Sequence, residues 1–79
     1  MTKDRLQWHV KQFKEMGLLA TDIDVGTKAE LIRHLELKIF LGRLAMDNLK
    51  AEGCTEEEPV IQFQAQVLED LRWAKAQVL

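Results

Sequence analysis

The stretch that decides the fold is Lys28–Glu52, which reads KAELIRHLELKIFLGRLAMDNLKAE and contains no proline. Thr27 and Glu30 form a capping box at its start, and Gly53 offers a stop after it. Gly42 is the one weak interior residue, costing up to about 1 kcal/mol relative to alanine. We interpret it as a point of close approach between helices. The stretch predicts one long helix from about 28 to 52.

Apolar side chains fall on two opposite faces of this predicted helix, since each residue advances by about 100°. A surface helix in a small monomer normally needs only one such face. Two explanations stay open: the helix lies between the other two helices, or the second face meets another copy of the chain or a partner protein. The first face holds Leu31, Ile32, Leu35, Ile39, Gly42, Met46 and Leu49, and the second holds Leu37, Phe40, Leu41, Leu44 and Ala51.

Two further helices flank this stretch. A helix is predicted over about 3–16, because apolar residues recur there at helical spacing and Gly17 offers a C-terminal cap. A connector over 17–27 follows. A second capping box, Thr55 to Glu58, and Pro59 predict a third helix over about 56–78, with its start at 56 or at 59 left open. Its predicted apolar face comprises Val60, Phe63, Val67, Leu71, Ala74 and Val78, broadened by Ile61 and Leu68.

The link between the second and third helices is short, which predicts antiparallel packing. The expected fold class is therefore all-α: a three-helix arrangement with a short N-terminal helix and a long antiparallel helical hairpin. Residues 1–79 are expected to form a single helical domain, since the chain is too short for two.

Composition and charge restrict the classes of partner. Cys54 is the only cysteine, so no internal disulfide can form, and a free thiol suits a cytoplasmic location. No run approaches the ~20 apolar residues of a membrane span, so no membrane partner is expected. The formal net charge is −2, which argues against nucleic-acid binding, because such domains usually carry a basic excess.

No residue pattern indicates catalysis, a metal site or a cofactor. His9, His34 and Cys54 are not spaced as zinc ligands. Asp22–Gly26 begins like a calcium loop, but Arg33 stands where such a loop needs a bidentate glutamate. The chain has no serine, which excludes a Ser-His-Asp set. We predict a protein that is not an enzyme.

A protein interface is the favoured candidate site. Trp8 and Trp73 lie away from the main apolar faces of their helices, and Arg72 adjoins Trp73. Tryptophan and arginine are enriched at the energetic centres of interfaces. The predicted function is a small helical protein-interaction module (an adaptor, regulator or inhibitor, of the size of a bacterial or phage accessory protein) that self-associates as a dimer or higher homo-oligomer. Its predicted contact residues are Trp8, Leu37, Phe40, Leu41, Leu44, Arg72 and Trp73.

An alternative function comes from a resemblance in the last two helices. Ile39, Arg43 and Met46, followed by Ala65–Glu69 (AQVLE), resemble the small helical-hairpin phosphatases that act on the aspartyl phosphate of a sporulation response regulator. That family carries Ser-Gln-x-Leu-Asp where this chain has AQVLE, so Ala65 replaces the serine and Glu69 the aspartate. The resemblance implies a regulator of a response-regulator aspartyl phosphate, with no active-site residue carried over.

A third possibility is an oligomer that binds a small molecule between its subunits. No residue pattern in the chain indicates which ligand such a protein would bind.

Overall fold

A computed structural model describes residues 1–79 as three helices without strands: α1 (Lys3–Glu15), α2 (Lys28–Ala51) and α3 (Pro59–Val78). The predicted all-α, three-helix arrangement is confirmed. Helices α2 and α3 run antiparallel, because Lys28 at the start of α2 reaches the carbonyl of Leu79 while Gly42 lies against Gln64. The hairpin gives the molecule an elongated form of 45 × 23 × 17 Å.

Helix α2 begins at the predicted capping box. The N–H of Glu30 donates to Oγ1 of Thr27 over 3.1 Å. The carboxylate of Glu30 accepts from the N–H of Gly26 over 3.0 Å, one residue before the amide that a capping box predicts. Both contacts satisfy amides at the start of the helix or just ahead of it, which fixes its first turn.

Helices α1 and α2 both end at a glycine, as predicted. Gly17 and Gly53 have positive φ values of +77° and +96°. The N–H of Leu18 donates back to Phe13, and the N–H of Cys54 donates back to Leu49. This pairing is the Schellman motif, which only a left-handed residue closes readily. Each helix ends one residue earlier than predicted.

Helix α3 begins at Pro59, so the start at 56 that the sequence left open is wrong. Glu58 has an extended backbone (φ −74°, ψ 138°), because the residue before a proline is disfavoured in the helical region. Its carboxylate accepts from the N–H of Thr55 over 3.3 Å. The three glutamates 56–58 therefore lie in a turn ahead of the helix rather than in its first turn.

The hydrophobic core lies at one end of the hairpin. Helix α1 packs there across the N-terminal half of α2 and the C-terminal half of α3, and connector residues fill the remaining space. Burial of this apolar surface is the main term that stabilises so small a domain. The core cluster comprises Leu6, Val10, Phe13, Leu18, Leu19, Val25, Leu31, Leu35, Leu71, Ala74 and Val78.

The opposite end of the hairpin consists of α2 and α3 alone. Ile61 and Leu68 are buried there, but Val60 and Phe63 are 45% and 69% exposed, contrary to the predicted apolar face. The predicted face assumed one straight stripe along α3. With α1 absent from this end, only the side of α3 that touches α2 is covered, and the buried line shifts to Ile61 and Leu68.

Gly42 is the predicted point of close approach between α2 and α3. A Cβ atom there would lie 2.8 Å from Cδ2 of Leu68 and 3.1 Å from Nε2 of Gln64. The Gln64 side chain donates to the carbonyl of Gly42 over 3.1 Å. The glycine therefore sets the spacing of the two helices where α1 no longer supports them.

Gly42→Leu is expected to lower the free energy of unfolding by about 1–3 kcal/mol, because the new side chain forces the two helices apart. Lys50→Leu, at an exposed position of the same helix, is the matched control and should change stability by less than about 0.5 kcal/mol. Urea denaturation followed by circular dichroism measures both. Equal midpoints for the two variants would show that the contact at Gly42 is not tight.

Candidate protein interface

One face of α2 is apolar and uncovered, and we call it the outer face. Its four large side chains, Leu37, Phe40, Leu41 and Leu44, are 53%, 58%, 51% and 45% exposed. The buried residues of α2 are Leu31, Leu35 and Gly42, all on the opposite side. The explanation in which α2 is sandwiched between α1 and α3 is therefore wrong, because both pack on its inner side.

The outer face is a continuous patch rather than a set of scattered residues. Positions 37, 40, 41 and 44 follow the spacing that brings side chains together on one side of a helix. Single exposed apolar residues are normal on a protein surface, whereas a contiguous patch marks an interaction site. Covering it would remove apolar area from water at about 25 cal/mol per Å².

Charged residues border the outer face. Glu36, Arg43 and Asp47 lie along one edge, and Arg33 continues that side of the face at its N-terminal end, in line with Phe40. All four are exposed. Glu36 takes part in the one ion pair of the chain, with its Oε1 3.2 Å from Nζ of Lys75. Arg33, Arg43 and Asp47 thus form no ion pair within the chain. Unpaired charges beside an apolar patch favour an interface in which charge sets the register.

The two tryptophans belong to a different surface, around α1. The guanidinium of Arg5 lies 4.5 Å from the ring centroid of Trp8, a cation–π contact. The rings of Trp73 and Phe13 form a T-shaped contact at a centroid distance of 6.3 Å. Both tryptophans are half-exposed. Six of the seven predicted contact residues therefore divide between the outer face of α2 and this aromatic group.

Arg72 is exposed and makes no cation–π contact, whereas Arg5, which sequence reasoning missed, does. The signal for Arg5 was present in its spacing, because residues three apart on a helix lie side by side. Trp8 stands three residues after Arg5. No aromatic contact joins either tryptophan to Phe40.

His9 is buried between these aromatic rings. Its ring lies 5.0 Å from that of Trp8 and 5.5 Å from that of Phe13, centroid to centroid. Its Nδ1 atom is buried without a hydrogen-bond partner. Burial lowers the pKa of His9 below its ordinary value, and the positive charge of Arg5 lowers it further. The structure thus keeps this side chain neutral and packed.

Acid is expected to destabilise the fold through His9. The unfolded chain binds a proton at His9 more readily than the folded chain. The stability that the fold gains by keeping His9 neutral is therefore fully present above the unfolded pKa of 6.5 and is lost as the pH falls below it. Urea midpoints at about pH 7.5 and about pH 5.5 measure the effect. His9→Leu should show a smaller difference between the two midpoints than the wild type. An identical difference in both chains would contradict this account.

The surroundings of Cys54 disfavour its thiolate form. Burial raises the pKa of its thiol, and the carboxylates of Glu58 and Glu52 raise it further. A catalytic or metal-binding cysteine needs the opposite shift, because the thiolate is the reactive form.

A shallow groove of about 270 Å³ runs along α1, lined by Trp8, Lys11, Gln12 and Glu15. It is open along one helix and falls below the ~300 Å³ at which ligand pockets begin. The chain by itself offers no enclosed site for a small molecule, and the small-molecule alternative needs a pocket built by several copies.

The residues of the phosphatase resemblance do not share one surface. Ala65, Gln66 and Glu69 are exposed on α3, whereas Leu68 of the same stretch is buried and Ile39 packs against the core. The side-chain amide of Gln66 donates to Oδ1 of Asp70 over 3.0 Å. That alternative stays a prediction.

Comparison with known proteins gave no family model, no curated protein and no solved structure that matches the chain. None of the three helices combines the length and the apolar character that crossing a bilayer would take.

Proposed function

We propose that the protein is a helical interaction module whose working surface is the outer face of α2. The observation that carries this proposal is the continuous exposure of Leu37, Phe40, Leu41 and Leu44 beside charged residues that form no ion pair in the chain. The module acts by binding another protein through this face, as an adaptor, regulator or inhibitor.

The recognition mechanism is the packing of apolar helix faces. Leucine and phenylalanine side chains contribute binding free energy when they leave water, and the bordering charges oppose misaligned partners. Helix-face recognition of this kind reads anchors at i, i+3, i+4 and i+7, which is the spacing of 37, 40, 41 and 44. We propose that the protein acts without catalysis.

A pair of matched variants tests the proposal. Leu44→Glu places a charge in the outer face, and Val60→Glu places the same charge at an equally exposed apolar position of α3 (45% in both). Both variants are expected to fold, because both sites are in water. Leu44→Glu should lose the partners captured by the wild type, or its self-association, while Val60→Glu retains them.

Two outcomes would overturn the proposal. One is that Leu44→Glu retains every interaction of the wild type. The other is that the wild type neither captures a protein nor self-associates. The phosphatase alternative has its own readout, because it requires faster loss of phosphate from a phosphorylated receiver domain when the chain is added.

A further inference from the structure

We infer that the outer face of α2 pairs with the same face of a second copy, with the two α2 helices antiparallel and crossing near Phe40. This inference rests on the proposed function of the face and names its occupant. The reason lies in the order of the charges along the edge of that face.

The edge carries opposite charges at matched positions on either side of Phe40. Arg33 stands seven residues before Phe40 and Asp47 seven residues after it. Glu36 stands four before and Arg43 three after. The order along the edge is therefore positive, negative, Phe40, positive, negative.

A two-fold axis near Phe40 brings these charges together in favourable pairs. In an antiparallel pair, a residue seven positions before the crossing point meets the residue seven positions after it in the other copy. Arg33 of each copy then faces Asp47 of the other, and Glu36 faces Arg43. Because a two-fold interface is self-complementary, each pair forms twice. Arg33 and Asp47 form no ion pair within their own chain, so both are free for this contact.

A parallel pair does not bring these charges together. Its two-fold axis runs along the helices, so the charged edges of the two copies lie on opposite sides of the interface. Arg33 then does not face Asp47, and Glu36 does not face Arg43. The charge order thus favours the antiparallel pairing.

The apolar centre of the pair follows from the same symmetry. Leu37 stands three residues before Phe40 and Leu44 four after, so Leu37 of each copy packs near Leu44 of the other. Phe40 and Leu41 lie beside the axis. The paired segment from Arg33 to Asp47 is about 21 Å long at 1.5 Å per residue. So short an interface falls below the ~800 Å² per partner of a standard stable complex, and the dimer should be weak.

Charge-swap variants test the pairing. Arg33→Asp leaves three negative residues and one positive residue on this edge, and Asp47→Arg leaves three positive residues and one negative residue. Each variant alone should raise the dissociation constant of the homodimer at least about fivefold, since attraction becomes repulsion in two equivalent pairs. An equimolar mixture of the two should recover the wild-type value to within about twofold. Sedimentation equilibrium across the micromolar to millimolar range measures all three samples.

The direction of pairing has a separate readout. A spin label at Lys50→Cys, in a Cys54→Ser background, should report a distance of more than about 30 Å between copies, because each label stands ten residues from the crossing point and the labels are about 30 Å apart along the helices. In a parallel pair the two labels lie at the same height, and only a lateral separation of about 25 Å remains, because position 50 points away from the outer face.

Three results would overturn the inference: a wild-type monomer throughout the concentration range, single swaps that leave the affinity unchanged, or the short spin-label distance. The wild-type monomer leaves the proposed function intact if Leu44→Glu still loses a captured partner. Both fail if neither self-association nor partner capture depends on the outer face.

Discussion

Replacing Phe13 with alanine is expected to remove most of the stability of the fold. Phe13 is fully buried, with its ring against that of His9 and in a T-shaped contact with that of Trp73. Truncation of a buried phenylalanine costs about 3–5 kcal/mol, through lost burial and the cavity that remains. A domain of this size has a free energy of unfolding of only about 4–12 kcal/mol. Urea denaturation should show a large shift of the midpoint or a chain unfolded in water.

The loss should extend beyond α1, because α1 covers the end of the hairpin where Leu35 and Leu71 are buried. A hairpin without α1 would expose these side chains to water. We therefore expect α1 and the hairpin to unfold in one transition, with helicity and tryptophan fluorescence changing together. If helicity were lost only at a higher urea concentration than the fluorescence change, the hairpin would be stable without α1.

Phe63→Ala is the matched control for Phe13. The same residue type is 69% exposed on α3, so its truncation should change stability by less than about 0.5 kcal/mol. A comparable loss in both variants would contradict the placement of the core at one end of the hairpin.

Local signals predicted the helices well. Thr27, Gly17 and Gly53 act through their own backbone neighbourhood, so their effect is visible in the sequence. The start of α3 was ambiguous because the Thr55–Glu58 box and Pro59 give competing signals over five residues. In the structure the helix begins at Pro59. The proline ring clashes with a helical backbone at Glu58, so Glu58 stays extended and the helix cannot start earlier.

Long-range placement was harder to predict. The periodicity of α3 indicates an apolar stripe that includes Phe63, but it does not indicate how far along the hairpin α1 extends. Likewise, the spacing in α2 predicts two apolar faces without indicating which is covered. Both questions depend on where α1 packs, and that is determined by contacts between residues distant in sequence, such as Phe13 and Trp73.

Placing the same substitution on each face of α2 separates the contribution of this helix to the core from its proposed contribution to binding. Leu35 is fully buried and Leu37, two residues on, is 53% exposed. Leu35→Glu puts a carboxylate into the core without a partner, which disfavours folding by several kcal/mol or forces the group to take up a proton. We expect that variant to be unfolded at neutral pH by circular dichroism.

Leu37→Glu should instead keep its helicity, and its free energy of unfolding should change by less than about 0.5 kcal/mol, because the new charge stays in water. The same variant should lose self-association, since Leu37 of one copy packs near Leu44 of the other in the proposed pair. The same substitution at two positions two residues apart would then have different effects. Leu35→Glu unfolds the chain, whereas Leu37→Glu leaves it folded and disrupts the contact between copies. If both variants unfolded, the outer face would belong to the core. That result would contradict its proposed role as an interaction surface.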